Sequence, residues 1–115
     1  MLNVLSALTA AGVPGWRGAF RPTQAYPEPP DCYCVFLLTR TPTWEQDDGS
    51  SAECLRAFLH LYSKNDPESA QTAITAAMEQ EGFRLIELMD GDYVPGVEDY
   101  EIYSEWVAMQ DVGEV

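Results

Sequence analysis

The sequence predicts a single α+β domain over residues 1–115, with a mainly antiparallel four-stranded sheet and two helices packed on one face. Two segments repeat apolar residues at helical spacing, and four others alternate as strands do. These segments follow one another in the order α-β-β-α-β-β, with turn residues inside each strand pair. Strands joined by a tight turn pair antiparallel, so we expect two hairpins within one sheet.

The first helix is predicted close to the N-terminus. Leu2, Leu5 and Leu8 fall on one stripe of a helix and should face the core. Asn3 is a candidate N-cap, because its side-chain oxygen can accept from a free backbone amide of the first turn. Gly12 is expected to end the helix.

The segment 12–31 is rich in glycine and proline and should be irregular or extended. Too little regular structure precedes it for a linker between two domains. We expect Trp16, Phe20 and Tyr26 to pack this loop onto the body of the domain.

The first strand pair is predicted at residues 32–39 and 54–63. The earlier strand is apolar on both faces, which favours a central strand covered on both sides. Residues 40–53, with Asp48-Gly49 as a turn signal, should form a long acidic hairpin connection. One face of the second strand is wholly apolar: Leu55, Ala57, Leu59 and Leu61.

The second helix has clear end signals. Asp66 can cap it, Pro67 suits its first position, and the negative charge of Glu68 complements the helix dipole. Gly82 is the expected C-terminal stop. A stripe rich in alanine allows close packing on the sheet: Ala70, Ile74, Ala77, Met78 and Glu81.

The last two strands are predicted at residues 83–89 and 97–109. Glu101 and Glu105 interrupt the apolar residues on one face of the final strand. We therefore expect that face to be exposed to solvent or to contact a partner.

The charge of the chain is unevenly distributed. The formal net charge is −13, which divides into +1 over residues 1–40 and −14 over residues 41–115. So acidic a chain disfavours broad contact with nucleic acid or an anionic membrane surface. No segment approaches the roughly 20 consecutive apolar residues that a membrane-spanning helix needs. We expect neither specific nucleic-acid binding nor membrane association. Arg17 and Arg21, in the near-neutral part, can meet an acidic surface of another copy.

A metal site is the main chemical alternative. Cys32 and Cys34 point to the same side of a strand, and His60 and Cys54 could approach them. The spacing lacks paired Cys-x-x-Cys knuckles, so we interpret these thiols as residues in or near the core, with no metal, cofactor or catalytic residue expected. An odd number of cysteines without a secretory signal favours reduced thiols, although a disulfide from Cys54 stays geometrically possible.

Several ordered stretches resemble the small tail-completion proteins of tailed bacteriophages and prophages. Residues 59–68 read LHLYSKNDPE, similar to an "LYTK-DPE" passage between the second strand and main helix of that family. Residues 81–83 match the "Gly-Phe" that opens the next strand. The prolines and glycines of 12–22 and 26–30, and the acidic-aromatic strand 100–106, fit the same pattern.

This resemblance implies a tail terminator or minor tail protein without enzymatic activity. Such proteins form a ring, usually of six copies, at the head-proximal end of the tail tube. The ring halts tube polymerisation and provides the surface that joins the head. The implied partners are other copies of the chain, the tail-tube protein and a head-completion or connector protein. The implied location is the virion tail, after assembly in the bacterial cytoplasm.

On this hypothesis the interface residues are charged or aromatic: Arg17, Arg21, Trp44, Glu45, Asp47, Asp48, Glu101 and Glu105. Trp44 is the expected anchor of the 40–53 connection, unless it folds back onto its own domain. An acidic lumen would let DNA pass without holding it. The alternative class is an acidic DNA-mimic inhibitor that binds a basic protein. The evidence for this alternative is the net charge of −13 and the acidic residues of the last strand.

Overall fold

The computed structural model describes residues 3–42, 50–94 and 99–114. The predicted α+β class is confirmed. The elements in chain order are α1 (Val4–Ala11), β1 (Gly15–Arg17), β2 (Cys32–Pro42), β3 (Ser50–Ser63), α2 (Glu68–Glu81), β4 (Arg84–Val94) and β5 (Asp99–Glu114).

The sheet has five strands in the order β1-β2-β3-β5-β4 and is mixed. The predicted four antiparallel strands and their order are therefore wrong. The additional strand, Gly15–Arg17, pairs parallel with β2 within the loop that was expected to be irregular or extended. Three residues are too few to show a strand period, so only the pairing with β2 defines this element.

The β2–β3 hairpin is longer than predicted. Its antiparallel ladder runs from Cys32 opposite Ser63 to Pro42 opposite Glu53. The predicted connection 40–53 therefore begins too early and ends too late. Within it, Trp44, Glu45, Asp47 and Asp48 lie outside the described residues.

One face of the sheet and both helices contribute to a single buried cluster, so both helices pack on the same face, as predicted. We call this side of the sheet the inner face. The predicted apolar face of β3 is confirmed, because its leucines and alanine are at most 1% exposed. Members of the cluster include Leu8, Cys34, Leu55, Ala57, Leu59, Leu61, Ile74, Met78, Phe83, Ile102 and Trp106.

Helix α1 has the predicted ends but a different buried stripe. Asn3 Oδ1 accepts a hydrogen bond from the Ser6 amide at 3.1 Å, and Gly12 closes the helix with φ 76°. The Asn3 amide also donates to Glu81 Oε1 at 2.9 Å, which ties this end of α1 to α2. Leu5, expected in the core, is 46% exposed. The buried residues of α1 are instead Val4, Ala7 and Leu8.

Helix α2 also keeps its predicted ends. Asp66 Oδ1 accepts from the Glu68 amide at 3.0 Å. Pro67 occupies the N-cap position of the helix, so the capping carboxylate stands one residue before it. Gly82 ends the helix in the left-handed region at φ 112°, which favours glycine.

The domain measures 52 × 31 × 22 Å, with long hairpins that account for its elongation. Within the described ranges, no helix has the length and apolar character needed to cross a membrane.

Candidate interaction surface

On the sheet face opposite the helices, the described side chains of β2, β3, β4 and β5 are partly buried or exposed, and we call it the open face. Its members alternate with the inner-face residues along each strand. The open face includes Tyr33, Val35, Leu37, Cys54, Arg56, Phe58, His60, Tyr62, Arg84, Glu87, Met89, Glu101, Tyr103, Glu105, Val107 and Met109.

One end of the open face is covered by the N-terminal loop. Trp16 lies in register with Val35 on this side of the sheet and is only 9% exposed. Its ring centroid lies 4.7 Å from that of Phe20 and 5.6 Å from that of Tyr26, both edge-on. The prediction that these three aromatic residues pack the loop is confirmed.

A row of aromatic rings continues from this loop across three strands. The rings of Tyr33 and Tyr62 stack with centroids 5.3 Å apart. The His60 ring lies 6.4 Å from Tyr62 and 5.1 Å from Tyr103. Such ring pairs favour a defined side-chain arrangement, so this part of the open face is ordered before any partner binds.

Glu101 and Glu105 of β5 are held by residues within the chain. His60 Nδ1 and Glu101 Oε1 lie 2.8 Å apart, and Arg56 Nη1 lies 3.6 Å from Glu105 Oε2. Tyr103 Oη donates to Glu105 Oε1 at 3.3 Å. Glu101 and Glu105 therefore lie on a solvent-facing sheet surface, as predicted, with their carboxylates oriented by neighbouring strands.

The Tyr103 hydroxyl is a hydrogen-bond donor in this group. Burial raises the pKa of Tyr103, and the negative charge of nearby Glu105 raises it further. Because the neutral phenol is favoured, the hydroxyl keeps the proton that it donates to Glu105.

Exposed apolar side chains lie beside charged rows on the open face. Leu37 is 51% exposed, Met89 53% and Met109 58%. The register forms an acidic row through Glu105 and Glu87. A neighbouring row contains two arginines, Arg56 and Arg84. Apolar groups among fixed charges are typical of a protein-binding surface.

Arg17 and Arg21 lie at a different place from the two glutamates. Both arginines are exposed, and Arg21 Nη1 donates to the Arg17 carbonyl at 3.1 Å. They lie at the β1 edge, whereas Glu101 and Glu105 are on β5, three strands away. Of the predicted interface residues, Arg17 and Arg21 therefore lie together, and Glu101 and Glu105 lie on a separate part of the domain.

The cysteines and His60 do not converge. Cys34 is fully buried on the inner face, where it lies opposite Leu61, while His60 is on the open face. The expectation that His60 could share a side with Cys32 and Cys34 is therefore wrong. Nowhere in residues 3–42, 50–94 or 99–114 do three metal-ligating side chains gather.

A disulfide from Cys54 to either other cysteine is incompatible with the register. Cys54 lies seven positions along β3 from Leu61, the residue opposite Cys34. At about 3.3 Å per residue this is roughly 23 Å, far beyond the ~7 Å limit between disulfide-bonded Cα atoms. All three cysteines are free thiols.

We expect the domain to lose stability at alkaline pH through Cys34. Burial, assisted by Cys32, raises the pKa of Cys34 from 9.0 to about 12. The unfolded chain releases this proton from about pH 9 upward while the folded chain retains it, so the thiol's contribution falls until about pH 12. Urea unfolding of wild type and Cys34→Ala at pH 8 and pH 10.5 should show a smaller pH-dependent loss in the variant. Equal losses would contradict this assignment.

Comparison with known proteins provides no identification. The chain matches no protein-family model, and no curated protein matches it.

Residue patterns indicated this surface only in part. Glu101 and Glu105, among the apolar residues of one face of the last strand, pointed to it. Leu37 was assigned to a covered strand, because both faces of β2 are apolar. Met89 carried no distinctive signal, since its position beside Tyr103 follows from strand pairing alone.

Proposed function

We propose that this chain is a structural tail protein of a tailed bacteriophage or prophage. It forms a ring, hexameric as in the family it resembles, which caps the tail tube at its head-proximal end. The ring stops tube polymerisation and provides the head-joining surface. Its partners are other copies of the chain, the tail-tube protein and a head-completion or connector protein. It carries out no catalysis and functions in the virion tail after assembly in the bacterial cytoplasm.

The open face is the observation that supports this function best. It combines exposed Leu37, Met89 and Met109 with acidic groups held by hydrogen bonds and ion pairs on a five-stranded sheet. A surface of this composition suits another folded protein, because apolar contacts supply affinity and fixed charges select the partner. Docking onto a tail tube or connector requires such a surface.

The charge of the chain is consistent with a position around passing DNA. With a net charge of −13, the chain as a whole repels phosphates. A ring that encircles DNA without binding it benefits from this repulsion. The acidic-lumen hypothesis therefore remains part of the proposal.

The DNA-mimic alternative has less support. A mimic needs carboxylates free to meet the basic groove of its partner. Glu101 and Glu105 are instead engaged with His60 and Arg56 of the same chain. Four residues along a strand also separate them by about 13 Å, wider than the spacing of successive phosphates along one DNA strand.

Negative-stain microscopy tests the proposed function directly. The purified chain is imaged alone and after mixing with tail tubes grown from the tail-tube protein of the same phage or prophage. We expect rings, either free or seated on one end of the tubes, and tubes that stop elongating when the chain is added. A chain that forms no ring under either condition and leaves tube length unchanged would contradict the proposal.

A further inference from the structure

The sheet ends at the three-residue strand β1 on one side and at β4 on the other. Two lengths of strand edge longer than β1 have no neighbouring strand within the described part of the chain. Strand β1 pairs with β2 only from Cys34 to Phe36, so the outer side of residues 37–42 is uncovered. On the other side of the domain, β4 is the last strand of the sheet. Uncovered edges are templates for pairing with another strand.

The backbone groups of β2 that face outward can be assigned. The Cys34 amide donates to the Pro14 carbonyl at 2.9 Å, so the peptide groups of Cys34 point away from β3. In an antiparallel ladder, the amide and carbonyl groups of successive residues point alternately toward the paired strand and away from it. The amide and carbonyl groups of Leu38 and Arg40 therefore point to the uncovered edge.

The directions of the backbone groups of β4 follow from the same alternation, taken from β2 across β3 and β5 by the pairing of each strand with the next. On this basis Met89 and Tyr103 exchange backbone hydrogen bonds with each other. Leu88 and Asp90 then present their amide and carbonyl groups to the outer side of β4. Each edge thus offers two outward-facing residues at alternate positions.

The two edges carry opposite charges. Strands β1 and β2 contain Arg17 and Arg40 and no acidic residue. The charged residues among the described side chains of β4 are two acids, Glu87 and Asp90, and one base, Arg84, all exposed. Opposite charges favour pairing of one edge with the other and disfavour pairing of an edge with itself.

We propose that β4 of one copy pairs with the outer edge of β2, residues 37–42, in the next copy. Arg40 lies opposite Leu55, and Asp90 lies opposite Ile102. Because Leu55 and Ile102 are on the inner face, the side chains of Arg40 and Asp90 are on that side of the sheet too. Pairing the edges therefore places Arg40 near Asp90 and keeps the helices of both copies on the same side.

This contact is heterologous, because each copy uses a different edge toward each of its two neighbours. Heterologous contacts generate a ring when their rotation closes. The inference rests on the proposed ring and specifies which surfaces join its subunits. Register shifts in β4 at Leu85/Glu87 and Asp90/Tyr93 limit the regular pairing to residues 87–90.

Proline substitutions at the two outward-facing charged positions test the contact. Arg40→Pro and Asp90→Pro each remove an outward amide and a charge, and leave the ladder within the chain intact. We expect each variant to fold, as checked by circular dichroism, but to be monomeric by sedimentation velocity. An equimolar mixture should form a one-to-one dimer, since each variant retains one working edge. Rings formed by either variant alone would overturn the contact.

Disulfide trapping gives a second readout that also applies to rings formed only on tubes. Oxidation of the Arg40→Cys/Asp90→Cys double variant should link neighbouring copies into a ladder of covalent oligomers. The control Gln80→Cys/Asp90→Cys, whose first position is exposed on α2, should give no ladder. Rings without the Arg40–Asp90 ladder would overturn the edge contact and leave the proposed function standing. A ladder from a chain that never caps tubes would support the contact and contradict the function.

Discussion

Replacing Trp106 with alanine should lower the free energy of unfolding by about 3–5 kcal/mol, the usual cost of truncating a large buried aromatic residue. Trp106 is fully buried on β5, opposite Ala57 of the neighbouring strand. Its Nε1 donates to Ser104 Oγ at 2.9 Å, and Ser104 is itself fully buried. The variant would leave both a cavity and a serine without this donor. A loss of this size is a large share of the roughly 5–15 kcal/mol typical of a small domain.

Urea denaturation followed by far-ultraviolet circular dichroism measures this effect. Trp106→Phe keeps much of the packing but not the hydrogen bond, so it should fall between wild type and Trp106→Ala. Met109→Ala is the matched control on the same strand, because Met109 is 58% exposed on the open face. We expect the control to change the unfolding free energy by less than about 0.5 kcal/mol. Equal losses at Trp106 and Met109 would contradict the assignment of the two faces.

Leu37→Asp should prevent docking of the chain onto tail tubes while leaving it folded. Leu37 is 51% exposed and is the most exposed large apolar residue of β2. Loss of a buried leucine contact costs about 2 kcal/mol, and introducing a charge adds a desolvation penalty. The affinity of each copy for the tube should therefore fall at least tenfold, and capping should fail when all copies carry the change.

Co-sedimentation with tubes measures the docking, and thermal unfolding monitors the fold. Leu5→Asp is the control, because Leu5 is similarly exposed at 46% but lies on α1, on the other side of the sheet. We expect Leu5→Asp to co-sediment as wild type does. If Leu37→Asp also caps tubes normally, the open face is not the docking surface.

Local signals in the sequence were sufficient for the helix ends and for the covered side of β3. Gly12 and Gly82 both adopt positive φ at the ends of helices. The alternation of leucine and alanine along β3 identifies its inner face, because burial on one face imposes a period of two. These features depend on neighbours close in the chain, so residue patterns indicate them reliably.

Features set by strand pairing were not predictable in the same way. Which face of β2 is covered depends on where the helices pack, and Leu37 lies on the uncovered one. Whether Cys34 and His60 lie on the same side of the sheet depends on the register between their strands. A shift of one residue turns every side chain of a strand to the opposite face. The short strand Gly15–Arg17 exists only through its pairing with β2.

The position of β5 between β3 and β4 has a consequence for how the domain folds. Each hairpin joins strands that are close in the chain and can form rapidly. The ladder between β3 and β5 instead pairs Ala57 with Trp106, about 50 residues apart. Closing a loop of that length costs about 3 kcal/mol of chain entropy before any contact forms. We expect this central ladder to set the folding rate, with two preformed hairpins that must find each other before the core can close.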